Sequence, residues 1–145
     1  MSAATGRVWL FDLDNTLHDA DPHIFPHINR AMTAYVAQQA GLDEAAASAL
    51  REAYWRRYGA TLQGLMRHHG TDPHHFLYHT HLFPDLPRMV VYDRAIRHVL
   101  RRLQGAKIVF SNAPRHYAEA VLDIMGVRHA FDAICSIERM RFRPK

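Results

Sequence analysis

The chain has 145 residues, 48% of them hydrophobic and 22% charged, which fits one globular domain with or without an insert and excludes a disordered chain. No apolar run approaches the roughly 18 residues of a membrane span, and a lone cysteine, Cys135, excludes an internal disulfide framework and an all-cysteine metal site. The formal charge is +4, and all the basic residues except Lys107 and Lys145 are arginine, the better fork for phosphate, although arginine-rich codon usage is the simpler explanation.

The N-terminus lacks the apolar core of roughly 7–15 residues that a secretory signal needs, so a cytoplasmic protein is expected. The first legible element is Val8-Trp9-Leu10-Phe11, a continuous apolar run that fits a strand buried on both faces. It ends in the polar stretch Asp12-Leu13-Asp14-Asn15-Thr16. Helical periodicity then runs from Ile24 to Ala40, with Ile28, Met32, Tyr35 and Val36 on one face and Gly41 as a stop. A second helix spans Asp43 to Tyr58, and a third Thr61 to His69, closed by Gly70. Asp72-Pro73 marks the start of a fourth. Phe83-Pro84-Asp85-Leu86-Pro87 is expected to be a loop.

After Pro87 the pattern changes. Tyr92 to Gln104 is helical, Lys107-Ile108-Val109-Phe110 is a second apolar strand ending at Ser111-Asn112, Pro114 to Met125 is helical, and Ala133-Ile134-Cys135-Ser136 is a third strand. Strand, long helical segment, helix, strand, helix, strand describes an α/β fold with a parallel sheet and an all-helical insert after the first strand. Residues 1–19 and 88–145 would form the α/β core and residues 20–87 the helical cap. In open parallel sheets, ligands sit at the carboxyl ends of the strands. Those ends carry Asp12 with Asp14, and Ser111 with Asn112.

Two carboxylates just past an apolar strand are costly unless a cation or hydrogen-bond donors engage them. Mg²⁺ suits such a site, because it takes a few carboxylate or carbonyl oxygens and keeps waters. Asp12 has the chemistry of a nucleophile toward phosphorus, and Asp14 that of a general acid and then base. A solvated loop with an N-cap is the simpler alternative for Asp-x-Asp alone.

The segment Phe11-Asp12-Leu13-Asp14-Asn15-Thr16-Leu17 resembles the first motif of the haloacid dehalogenase (HAD) superfamily. Phe110-Ser111-Asn112-Ala113 resembles the second, and Arg143-Pro144-Lys145 the start of the third. The insert, with Tyr54-Trp55-Arg56-Arg57-Tyr58-Gly59, Gly64-Leu65, His69 and the Leu86-Pro87 pair, resembles the C1 helical cap of yeast- and bacterial-type pyrimidine 5′-nucleotidases. That resemblance implies a Rossmann-like core and a Mg²⁺-dependent phosphomonoester hydrolase that passes through an aspartyl phosphate. Asp12 would be the nucleophile, Asp14 the acid and base, and Lys145 the neutralising cation. Ser111 and Asn112 would bind phosphate. Mg²⁺ would be held by Asp12 and by the backbone carbonyl of Asp14. The implied substrate is a small phosphorylated metabolite, a nucleoside monophosphate such as UMP or CMP, with neither a membrane nor a nucleic-acid polymer as partner.

The fourth acidic motif of the superfamily is not found, since Asp132 and Glu138 flank the third strand and do not fit it. Two expectations follow: a fragment of a longer enzyme, whose first strand would be an apolar edge open to self-association, or a catalytically silent phosphate-binding module. A basic nucleic-acid-binding domain is the third reading, and the paired acids speak against it. The histidines at 68, 69, 74, 75, 79 and 81 are read as cap surface or packing rather than as a metal site. Tyr54, Trp55 and Tyr58 are read as core, Arg67 as a solvated face, and Cys135 as inert packing.

Overall fold

The computed structural model describes residues 6–145. Its elements in chain order are β1 (Val8–Phe11), α1 (Ile24–Ala40), α2 (Glu44–Tyr58), α3 (Thr61–His69), α4 (Pro73–Thr80), α5 (Leu86–Met89), α6 (Ala95–Arg102), β2 (Ala106–Phe110), α7 (Arg115–Met125), a 3₁₀ turn (Arg128–Ala130) and β3 (Ala133–Cys135). The sheet has the order β1-β2-β3 and is parallel throughout. The expected α/β fold with an inserted helical segment is therefore what forms.

Local chemistry explains most boundaries. The Asp43 carboxylate accepts from Ala46 N at 2.8 Å and starts α2, and Asp72 accepts from His74 N at 2.9 Å and starts α4 with Pro73 in its first turn. α1 stops at Gly41, whose φ of +65° is left-handed. α6 is shorter than Tyr92–Gln104 because Asp93 Oδ1 takes the Ala95 amide at 2.8 Å, so the helix starts there. The expected Phe83–Pro87 loop is also corrected: α5 begins at Leu86, with Pro87 tolerated in the first turn, where its missing N–H costs nothing.

The register sorts the strand residues into rows. Phe11 pairs with Val109, and Val109 with Ile134; this row belongs to the main core with Leu100, Tyr117, Ala118, Val121 and Leu122. Leu10 pairs with Ile108, and Ile108 with Ala133, on the opposite face. There Leu10 is 64% exposed and Val8 56%. The expectation that β1 is buried on both faces is thus overturned, since β1 is an edge strand with one row in the core and the other facing solvent.

A second apolar cluster lies among the inserted helices, built on Tyr35, Val36, Ala47, Leu62, Leu65, Phe76 and Leu77. Ile137, just after β3, joins this cluster, with Met140 and Phe142 packed against it. The first half of α1, through Ile24 and Ile28, belongs instead to the main core. These shared contacts set the helices over the carboxyl ends of the strands.

Candidate active site

β1 and β2 run parallel with Phe11 beside Val109, so the residues that leave them emerge at one edge. Leu13, fully buried, separates Asp12 from Asp14. The chain bends at Leu13, and both carboxylates line the same cavity. The chain then tightens: Leu17 N donates to Leu13 O at 2.9 Å, and Asn15 takes a left-handed φ of +56°. Asparagine tolerates that conformation better than most residues. Its amide also holds the turn, accepting from Ala20 N at 2.8 Å and donating to Asp21 at 2.9 Å.

Lys145 arrives from the other side. Its Nζ lies 2.6 Å from Asp12 Oδ1 and donates to Phe110 O at 3.1 Å, and its backbone N–H donates to Asn112 Oδ1 at 2.9 Å. Asp12 Oδ1 also accepts from the Leu13 amide at 2.8 Å. Two consecutive left-handed residues, Arg141 (φ +54°) and Phe142 (φ +60°), bend the chain on its way to Lys145. Such conformations cost of order 1–3 kcal/mol each, and the Phe142 amide bond to Ile137 O (2.8 Å) and the Gln63 amide bond to Phe142 O hold them.

Ser111 is buried, its amide donating to Cys135 O at 3.0 Å, and its hydroxyl oxygen accepts from Ala113 N at 3.1 Å. The hydroxyl hydrogen is left for a ligand. Asp12, Asp14, Ser111, Asn112 and Lys145 all line one cavity of about 630 Å³, which extends to α1 and α2. All five residues singled out in the sequence therefore converge.

Asp132 and Glu138 are engaged elsewhere. Asp132 Oδ2 accepts from Lys107 N at 2.8 Å, and both Glu138 oxygens accept from Arg115 N at 3.0 Å. Among the described residues no group of three or more His, Cys, Asp or Glu is placed to hold a metal, the histidine-rich segment included. The Asp12 carboxylate and the Asp14 carbonyl, the donors that the resemblance implies, are oxygens of the hardness that Mg²⁺ takes, and they would hold it. They are few, and water and substrate oxygens would complete the shell.

Comparison with known proteins follows the same lines. Residues 7–145 match the haloacid dehalogenase-like hydrolase family. The chain belongs to that family. Phosphate metabolism protein 8 of Saccharomyces cerevisiae is 26% identical over 144 residues, a match covering 92% of this chain and 44% of the yeast protein. The chain thus spans less than half the length of that relative. The crystal structure of a HAD phosphatase from Thermococcus onnurineus shares the fold, with a TM-score of 0.51, 18% identity, and coverage of 94% of this chain and 64% of that one.

Several residues of this site escape sequence reading. The Tyr117 hydroxyl donates to Asp14 Oδ1 at 2.8 Å, and His18 Nε2 donates to the same oxygen at 2.7 Å. Both side chains are buried. With Nε2 donating to a carboxylate, His18 Nδ1 is left buried without a partner. Burial, and then the Asp14 charge and hydrogen bond, push the Tyr117 phenol well above its ordinary range. His81, on the cavity wall against the Tyr117 ring, hydrogen-bonds Leu77 O at 3.1 Å through Nδ1, and burial pushes its pKa down to about 4. Trp55, read as core, is instead 60% exposed and lines the cavity mouth.

Proposed function

We propose that this site hydrolyses small phosphate monoesters with Mg²⁺ through an aspartyl phosphate, and that its substrate is a pyrimidine nucleoside 5′-monophosphate. The observation that carries the reading is the 2.6 Å pairing of Lys145 with Asp12 at a strand edge shared with Asp14 and Ser111. The resemblance of the inserted helices to nucleotidase caps supports the substrate class. Residues 20–87 act in this reading as the cap that keeps bulk water from the reaction.

Asp12 attacks phosphorus, and the bond from phosphorus to the ester oxygen breaks. Asp14 gives that oxygen its proton, so the alcohol leaves neutral. Ser111 and the Asn112 amide hold phosphoryl oxygens while charge spreads over them, and Lys145 offsets the charge shared by Asp12 and the phosphate. Water then attacks the aspartyl phosphate, Asp14 takes its proton, and the bond from Asp12 to phosphorus breaks to release inorganic phosphate. Mg²⁺, held by Asp12 and the Asp14 carbonyl, would supply further charge neutralisation on the phosphate.

The sparse metal donors favour a second reading, a phosphate-binding module without turnover. Phosphate release from UMP and p-nitrophenyl phosphate, measured with and without added Mg²⁺, separates the two. The proposal expects Mg²⁺-dependent release that Asp12→Asn abolishes and Lys145→Met lowers about 10²–10³-fold. Release retained in Asp12→Asn removes the assigned nucleophile, and no metal-dependent release in the wild type favours the silent module.

A further inference from the structure

The cavity is far larger than a phosphoryl group requires. Its wall away from Asp12 is formed by α1 and α2, where Asn29, Arg51 and Trp55 face it. Arg51 and Trp55 are four residues apart on α2 and so lie one above the other on the same face. The Arg51 carbonyl accepts from the buried Thr61 hydroxyl at 3.0 Å, which fixes this part of α2 against α3.

The Arg51 guanidinium has no carboxylate partner among the described residues. Most of the chain's arginines share that lack, since only Arg56, Arg88, Arg115 and Arg128 are paired among the described residues, and what distinguishes Arg51 is its place on the cavity wall. Arg51 makes one long bond, from Nη1 to Asn29 Oδ1 at 3.3 Å, and its Nε is buried without an acceptor. The buried Nε is out of a ligand's reach, but the guanidinium lines the cavity with its Nη groups held by one long bond, so an acceptor in the cavity would pair with that end of the fork. Because Asn29 Oδ1 already faces Arg51, the Asn29 amide is left with its Nδ2 hydrogens to offer. Both residues therefore present donors. Trp55 adds an exposed indole beside them, and Phe25, Ile28 and Met32 supply an apolar floor from α1.

We infer that Asn29, Arg51 and Trp55 form a subsite for a planar ring whose edge carries carbonyl acceptors, so that the preferred substrate is an oxo-pyrimidine (uracil-type) nucleotide rather than an amino-substituted one. The ring stacks on Trp55, and its carbonyl oxygens accept from Arg51 and Asn29. An amino group in a carbonyl's place would set donor against donor, an unpaired contact that sites of this kind reject strongly. Glu52, the carboxylate beside Arg51 on the cavity wall, would favour an amino group instead, but it already faces Arg56 Nη2 at 3.5 Å. The inference rests on the phosphatase reading only for the phosphate end of the ligand.

Uridine, which has no phosphate, tests the subsite separately. In Trp9→Phe, Trp55 is the sole tryptophan, and uridine is expected to quench its fluorescence with a Kd about tenfold or more below that for adenosine or cytidine. Calorimetry should show Arg51→Met and Asn29→Leu each weakening uridine about tenfold, with Trp55→Leu weakening all three nucleosides. In turnover, Arg51→Met should lower kcat/KM for UMP but not for ribose 5-phosphate. Failure of uridine to bind, equal binding by Arg51→Met, or preference for cytidine or adenosine overturns the subsite. Asn29→Leu and Trp55→Leu carry the test where Arg51→Met does not fold, as circular dichroism would reveal. Uridine binding without phosphate release from any ester sinks the phosphatase reading alone. Release from UMP no better than from ribose 5-phosphate, unaltered by these variants, sinks the subsite alone.

Discussion

Tyr117, in the first turns of α7, donates its hydroxyl to Asp14 Oδ1 across 2.8 Å, joining residues 103 positions apart. His18, one turn after Asp14 in the chain, donates to the same oxygen. One carboxylate oxygen of Asp14 is therefore spoken for by two buried donors, and in the proposed mechanism Oδ2 would be the oxygen that moves a proton. The pair holds the side chain in one orientation, and neither Tyr117 nor His18 lines the cavity.

Tyr117→Phe keeps the ring and removes only the hydroxyl. The variant is expected to lower kcat by about tenfold with KM little changed, because it loosens a group that acts in the transition state. A charge-assisted bond of this kind contributes about 1.5–3 kcal/mol, so a lower melting temperature should accompany the loss. Steady-state kinetics on UMP check it. A fall in stability with kcat intact would assign Tyr117 to packing alone.

His81 makes stability depend on pH. Its folded pKa of about 4 lies below the ordinary 6.5 because burial disfavours the imidazolium. Between those values the unfolded chain binds a proton that the folded chain does not, so folding weakens as pH falls from 6.5 toward 4 and is unaffected by this group above 6.5. The full difference is worth on the order of 3 kcal/mol. His81→Asn, which keeps a donor for Leu77 O, is expected to flatten that part of the profile. Urea melts of both proteins between pH 4.5 and 7.5 measure it, and parallel profiles would absolve His81.

Asp12, Asp14, Ser111 and Asn112 are legible because a polar residue directly after an apolar strand is a local anomaly. Lys145 is legible through its neighbours Arg143 and Pro144. Tyr117 is not, since its place on a stripe with Ala118, Val121 and Leu122 reads as core, and only tertiary proximity gives its hydroxyl a second role. Arg51 is hidden for the opposite reason. Part of an arginine-rich chain, it stands out only when folding places it on the cavity wall with its Nε buried and one long bond to Asn29. Hydropathy also cannot distinguish an edge strand from a central one, and so β1 looks buried on both faces when one row is open.

Gly64 fixes how α2 meets α3. A Cβ at this position would overlap the Tyr54 side chain, with Tyr54 Cβ only 2.6 Å away. Tyr54 is itself held by its hydrogen bond to His69 Nε2 at 2.8 Å and by stacking on His68, so it is not free to give way. Gly64→Ala would gain helix propensity of roughly 1 kcal/mol but must push the two helices apart. Overpacking of this kind costs about 1–3 kcal/mol or more, so the net effect is expected to be destabilising. Thermal melts should show a lowered Tm, and Tyr54→Ala in the same chain should restore part of it; a raised Tm in Gly64→Ala alone would contradict the close approach.

The open side of β1 leads to the last prediction. β1 pairs only with β2, so one side of its backbone has no strand neighbour among the described residues. Beside that side stand Val8 and Leu10, 56% and 64% exposed. An apolar edge of this kind templates pairing with another chain, and natural edges are commonly blunted with lysine, which β1 does not carry. The 145-residue chain is therefore expected to associate in a concentration-dependent manner through β1, edge to edge with a second copy. Leu10→Lys places a charge in the exposed row without touching Phe11, Val109 or Ile134, the row that builds the core. Light scattering across a concentration series should show the wild type growing in mass and Leu10→Lys staying a monomer. A monodisperse wild-type monomer with a cooperative melt would remove β1 as an association surface, because an edge that is exposed and apolar yet inert must be shielded by its twist or brevity rather than by a partner.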